Sequence, residues 1–190
     1  MTDGRVALLD ANVLYPAPLR DLVLQLAVGA LFRARWSADI HREWIDSLLR
    51  NEPFRRREDL ERTRDLMDRA IRDCLVTGYD SLIPTLDLPD PGDRHVLAAA
   101  IAGGCDLIVT HNVKDFPGTV LAQYGIEARN PDDVLLNLLD LAPNRFCNAV
   151  SQVRARLRNP AYSVDDYLET LRSVRLIATA EALEPFTSRL

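Results

Sequence analysis

A chain of 190 residues, 47% hydrophobic and 27% charged, is long enough to bury one sizeable core and reads as a globular domain of ordinary size. Its net charge of −5 excludes a protein held to nucleic acid by bulk charge, so any polyanion must meet a local arginine patch, Lys114 being the sole lysine. Cys74, Cys105 and Cys147 match no zinc spacing and suit buried thiols, and the apolar stretch from Leu22 to Phe32 is too short to span a membrane, so a cytoplasmic protein is expected.

Arg5 to Leu9 predicts a short strand buried on both faces and ended by Asp10-Ala11-Asn12. Pro16 and Pro18 punctuate the loop that follows. Leu22, Val23, Leu26, Ala27, Ala30 and Leu31 then recur at helical spacing, and strand followed by helix opens a parallel α/β unit. Arg35 to Ala38 is a candidate second strand. Ser37 or Asp39 caps the next helix, which carries Ile40, Trp44 and Leu48 on one face and Glu43 at its border. After Pro53 a longer helix is expected to turn Leu60, Met67, Ala70, Ile71 and Cys74 inward, to pair Glu58/Arg62, Asp65/Arg69 and Asp68/Arg72 outward, and to stop at Gly78. Leu82 to Leu86 reads as an edge or irregular strand despite Pro84.

Asp90 fits an N-cap, Pro91 the first helical position and Asp93 the third, in a helix ending at Gly103-Gly104. Asp106 to Thr110 is another buried strand with His111 to Phe116 as its loop. Thr119 to Tyr124 forms a short helix, Ile126 to Arg129 a last strand, and Pro131 opens a helix through Leu139. Beyond Pro143 only helical stripes remain: Phe146, Val150, Val153 and Leu157, then Val164, Tyr167, Leu168, Leu171 and Val174, then a third stretch through Ala182. The change of character divides an α/β domain over residues 1–141 from a helical extension over residues 142–190.

In such a sheet the crevice lies outside the C-terminal ends of the strands. Asp10 and Asp115 follow two of the strands, Asp93 begins the helix running into the second of them, and Glu43 lies one helical turn past the Arg35–Ala38 strand. Four carboxylates at one edge repel unless a cation lies among them, and hard oxygen donors suit Mg²⁺ or Mn²⁺, which polarise phosphoryl groups and activate water. Asn12 and Asn112 offer neutral groups for that water or a phosphate. Taken singly, Asp93 complements a helix dipole, Glu43 suits a solvated helix face and Asp115 a loop cap, whereas Asp10 directly after a buried strand is costly unless solvated or paired.

Leu8-Leu9-Asp10-Ala11-Asn12-Val13-Leu14, Glu43, Asp93-Arg94-His95-Val96-Leu97 and Thr110-His111-Asn112-Val113-Lys114-Asp115-Phe116 together resemble the PIN-domain nucleases, above all the VapC-type toxins of bacterial toxin–antitoxin pairs. The resemblance covers residues 5 to about 140 and implies a three-layer α/β/α fold around a parallel sheet. It also implies a Mg²⁺ or Mn²⁺ site made by Asp10, Glu43, Asp93 and Asp115, hydrolysis of RNA, a small antitoxin protein over the acidic groove, and pairing as a homodimer. Asn12, Thr110, Asn112, Arg55 and Arg56 are expected on the substrate side. Arg50 and Arg57 belong to the same cluster, and Arg154, Arg156 and Arg158 form a second one in the extension. His41, His95 and His111 are not needed as bases. The competing reading is a PIN-like assembly module whose acids dock a basic segment. A phosphatase of the haloacid dehalogenase type needs a second acid where Asn12 stands.

Overall fold

The computed structural model describes residues 4–158 and 160–190; residues 1–3 of the expected α/β domain and residue 159 of the extension lie outside the described residues. The apolar runs form five strands, β1 (Val6–Leu9), β2 (Arg33–Ser37), β3 (Leu75–Val76), β4 (Leu107–Val109) and β5 (Glu127–Arg129). They make one parallel sheet in the order β3-β2-β1-β4-β5. β1 and β4 are central and read as unbroken apolar stretches because helices cover both faces. Chain order departs in opposite directions from β1 and β4, so the switch point, and the crevice that goes with it, lies between them.

The covering helices are α1 (Ala11–Leu14), α2 (Ala17–Val28), α3 (Ala38–Asn51), α4 (Arg57–Ala70), α5 (Arg94–Ala102), α6 (Gly118–Leu121) and α7 (Pro131–Leu141). Three more follow, α8 (Pro143–Arg156), α9 (Val164–Ser173) and α10 (Ile177–Leu183). The last three do not stand apart: α8 packs on α2 and α10 on α7, and Phe146, Val150, Tyr167 and Leu183 join the core cluster that contains β1. Asp132, in the first turn of α7, latches the start of α10, since its carboxylate accepts from the amides of Ala178 and Thr179, each at 2.8 Å. All three cysteines are free and buried. Among the described residues no helix is long and apolar enough to cross a membrane.

Four local expectations need correction. Leu82 to Leu86 holds no strand; Ile83–Thr85 is a 3-10 turn, as Pro84 lacks the amide a ladder requires. The edge strand is Leu75–Val76, because α4 stops at Ala70, and Asp73 takes a left-handed conformation (φ 57°) that turns the chain into the sheet. The three expected ion pairs along α4 are not formed: Glu58 takes Arg56, Asp65 takes Arg64, and Asp68 points inward. There it accepts from Trp36 Nε1 at 2.7 Å and meets His41 Nε2 at 3.0 Å, while His41 Nδ1 accepts from Trp44 at 2.9 Å. This buried chain ties α3 and α4 to β2, and it assigns His41 to structure.

Candidate active site

β1 delivers Asp10 straight into the crevice, where its amide still bonds to the Val109 carbonyl of β4 at 3.1 Å. The side chain is 5% exposed and accepts three hydrogen bonds. Oδ1 accepts from the Ala11 amide, and Oδ2 accepts from both Asn12 Nδ2 and Thr110 Oγ1, all at 2.6 Å. A carboxylate has about four acceptor sites, so one on Oδ1 is left to face the cleft. Burial raises the Asp10 pKa, opposed by the bonds from Thr110 and Ala11, and the charge of Glu43 adds to the rise.

Thr110 is fully buried and therefore cannot touch a substrate, contrary to expectation. Its hydroxyl donates to Asp10 and accepts from Asn12 Nδ2 and the Asn112 amide, both at 3.0 Å, which uses its one donor and both lone pairs. Asn12 is occupied in the same way: its amide hydrogens go to Asp10 and Thr110, and its Oδ1 accepts from the His111 amide at 3.1 Å. These two residues lock the β1 loop to the β4 loop and fix the aim of Asp10. Asn112 is exposed at the cleft, where its side chain is free for a substrate.

Ser37 caps α3 by accepting from the Ile40 amide at 3.2 Å, and this entry angle swings Glu43 over the sheet edge. Its Oε1 meets His95 Nε2 at 2.9 Å. Burial works to lower the His95 pKa, but the hydrogen bond that His95 donates to Glu43 and the charges of Glu43, Asp39 and Asp10 outweigh it and raise the value. His95 is thus not incidental: it restrains the Glu43 carboxylate. The sequence held the signal, since His95 lies one residue past Arg94 at the start of α5, two residues beyond Asp93.

Asp93 closes a 3-10 turn (Pro91–Asp93) and stands at the N-cap of α5, not at its third position; Asp90 caps the turn, accepting from the Gly92 amide at 2.7 Å. The Asp93 side chain makes no capping bond. Its pKa is pushed up to about 6, first by burial and then by the charges of Asp10, Asp90, Asp115 and Glu43. Asp93 thus stands in the field of the other three expected acids.

The cleft beside them has a volume of about 1050 Å³. Asp10, Glu43 and Asp93 line it, whereas Asp115 reaches Asp93 by its charge without lining the cleft. Arg42, Arg50 and Arg57 stand along one wall. Arg55 and Arg56, expected on the substrate side, do not line it: Arg55 bonds to Glu52 at 2.6 Å and lies over the Phe54 ring, and Arg56 pairs with Glu58. Arg57 and Arg50 of the same cluster take that place, with Arg42, which is next to Glu43 in sequence. Residues 6–114, more than half of the chain, match the family model for the PIN domain.

The chain belongs to the PIN-domain family.

Residues 131–185 match the model for the VapC50 C-terminal domain. A Mycobacterium tuberculosis protein named "Putative ribonuclease VapC50" is 48% identical over 64 residues, a stretch that is 34% of this chain and 37% of that protein. The chain therefore spans well under half the length of this curated relative. No solved structure matches the chain. In this PIN domain the donor set consists of hard carboxylate oxygens, and among the described residues neither the Asp93 nor the Asp115 side chain takes a hydrogen bond or ion pair. Among those residues no three acid, histidine or cysteine side chains already stand at metal-ligating spacing. Uncompensated like charges push apart, so the acids share one field without yet sharing one shell. Their chemistry fits a hard divalent cation that would draw them together.

Proposed function

We propose that the protein is a metal-dependent endoribonuclease that hydrolyses RNA phosphodiester bonds and serves as the toxin of a toxin–antitoxin pair. The carrying observation is that Asp10, Glu43 and Asp93 line one cleft of a PIN domain, where the Asp93 pKa is raised to about 6 first by burial and then by the charges of Asp10, Asp90, Asp115 and Glu43. Asp10, Glu43, Asp93 and Asp115 are the residues that would hold Mg²⁺ or Mn²⁺. When bound, such a cation supplies Lewis-acid polarisation of the phosphoryl group and lowers the pKa of a water.

The chain's own residues account for the rest. Thr110, Asn12 and the Ala11 amide fix Asp10, and His95 holds its proton at Nε2 against Glu43 so that this carboxylate keeps one orientation. Arg42, Arg50 and Arg57 give the polyanion a positive wall in an otherwise acidic protein, and Asn112 offers a neutral contact. A single strand suits an open groove whose floor repels phosphate unless a cation intervenes. A small antitoxin protein would act by laying a basic segment over the acids. The nuclease unit is taken as residues 1–141 and the extension as residues 142–190, in a cytoplasmic protein able to form a homodimer.

Incubating the purified protein with RNA and Mg²⁺ or Mn²⁺ tests this reading. Cleavage is expected that EDTA abolishes and fresh metal restores, with Asp10→Asn reducing the rate at least about a hundredfold. Full activity in Asp10→Asn would exclude this site. Absence of cleavage with either metal, alongside stable binding of a basic partner, would mark an assembly module.

A further inference from the structure

The extension reaches the cleft that Arg42, Arg50 and Arg57 also line: Ser173, the last residue of α9, and Val174 and Arg175, in the turn between α9 and α10, line it too. The turn is closed by two backbone bonds, Leu176 amide to the Leu171 carbonyl and Arg175 amide to the Arg172 carbonyl, both at 3.0 Å. This is a Schellman ending in which Arg175 occupies the left-handed position (φ 66°), where glycine is favoured. Leu176, fully buried, anchors the turn, and Asp132 clamps the α10 amides just beyond it. Ala30 and Asp73 share the left-handed conformation, but neither lines the cleft, so location distinguishes Arg175.

The neighbouring arginine shows what this position could have been. Arg172 is engaged by Glu169 at 3.0 Å and Glu184 at 2.6 Å. Arg175 is exposed and has no ion pair among the described residues. Of the other arginines that line the cleft, Arg42 is held by Asp39 and Arg57 by Asp46, and Arg50 donates to Ser47 Oγ at 3.1 Å. Arg175 lines the same cleft as His111 and Asn112, and its charge is felt at His111, whose pKa burial and then Arg175 lower. A turn held by two backbone bonds that presents an unpaired guanidinium to the same cleft as a carboxylate cluster is arranged to grip a phosphate beside the one under attack.

We propose that Arg175 is a backbone-phosphate contact for single-stranded RNA, so that the C-terminal extension completes the substrate groove. The proposal rests on the nuclease reading. The groove then draws arginines from two parts of the chain, α3 with the start of α4 and the extension, and the strand runs past them over the acids.

Arg175→Gly separates a binding role from a structural one, because glycine is the residue the backbone prefers there. The variant should melt at or above the wild-type temperature. Its KM for a single-stranded RNA should rise about tenfold or more with kcat nearly retained, as expected for one lost charge-assisted contact. In Asp10→Asn protein, which binds without cutting, adding Arg175→Gly should flatten the plot of log affinity against log salt by about 0.7, the contribution of one phosphate contact to a single strand. Arg175→Lys should restore the slope while recovering only part of the affinity. Unchanged KM and salt slope in an Arg175→Gly protein, with the wild type cutting RNA normally, would overturn this proposal alone. A wild type that neither cuts nor binds RNA would overturn it together with the nuclease reading.

Discussion

Replacing Asp93 by asparagine should make the metal-free protein more stable while removing its activity. The Asp93 pKa is pushed up from 3.8 to about 6, first by burial and then by the charges of four other carboxylates, and its side chain makes no capping bond that the change would break. Two pKa units correspond to about 3 kcal/mol at most. Asp93 is only partly buried, and solvent screening reduces this to roughly 1 kcal/mol. Losing a negative charge at the start of α5 costs roughly 0.5 kcal/mol. The net gain is about 0.5 kcal/mol, or a melting temperature about 1 to 2 °C higher for a chain of this size. The sign fixes the pH window. The native carboxyl holds its proton up to about pH 6 and the unfolded one releases it near 3.8, so the repulsion acts fully above pH 6 and fades as pH falls through that window. Melts of both proteins in EDTA at pH 7.5 and 4.5 provide the assay. The variant's advantage should shrink at the lower pH, and saturating Mg²⁺ should raise the wild type more than the variant. A variant less stable than wild type at pH 7.5, or an advantage that ignores pH, would refute the claim that the four acids share one field.

Thr110→Val keeps the shape but leaves Asp10 and Asn12 each short of a partner; a stability loss of about 1 to 3 kcal/mol is expected, with kcat falling about 10- to 100-fold and KM little changed. Thermal melts and steady-state cleavage check both, and an unaltered kcat would mean that Asp10 needs no such fixing. Asp132→Ala removes two charge-assisted bonds to the α10 amides and should destabilise the extension by roughly 2 to 4 kcal/mol, so that limited proteolysis cuts there before the sheet unfolds. Identical proteolysis of variant and wild type would show that packing alone holds α10 in place.

The strands at β1 and β4 and the acids beside them were legible because each rule involved is local. An apolar run ended by an acid makes a buried strand with a carboxylate at its tip, and Asp-Pro-Gly-Asp before an apolar run marks a helix start wherever the chain places it. Leu75–Val76 was not legible, because two residues carry no periodicity and the strand exists only where β2 offers an edge. The pairing of α4 failed for a similar reason. Asp68 had a plausible neighbour four residues on, but Trp36 and His41 offered it buried donors that solvent-exposed Arg72 could not match.

The sequence alone determined a parallel sheet and the strand ends at which Asp10 and Asp115 stand, since chain direction follows from alternating strands and helices. Tertiary structure decided what each polar group does there. Thr110 and Asn12, expected to meet substrate, spend their hydrogen bonds on Asp10 because β1 and β4 are adjacent, and His95 holds Glu43 because α3 and α5 meet at the same edge. The same holds for the arginines. Arg55 and Arg57 are two residues apart, yet only the second lines the cleft, while Arg175 arrives from 125 positions beyond Arg50 because α10 is latched to α7. Side-chain direction and long-range contact are set by packing, which a linear pattern of residue types does not encode.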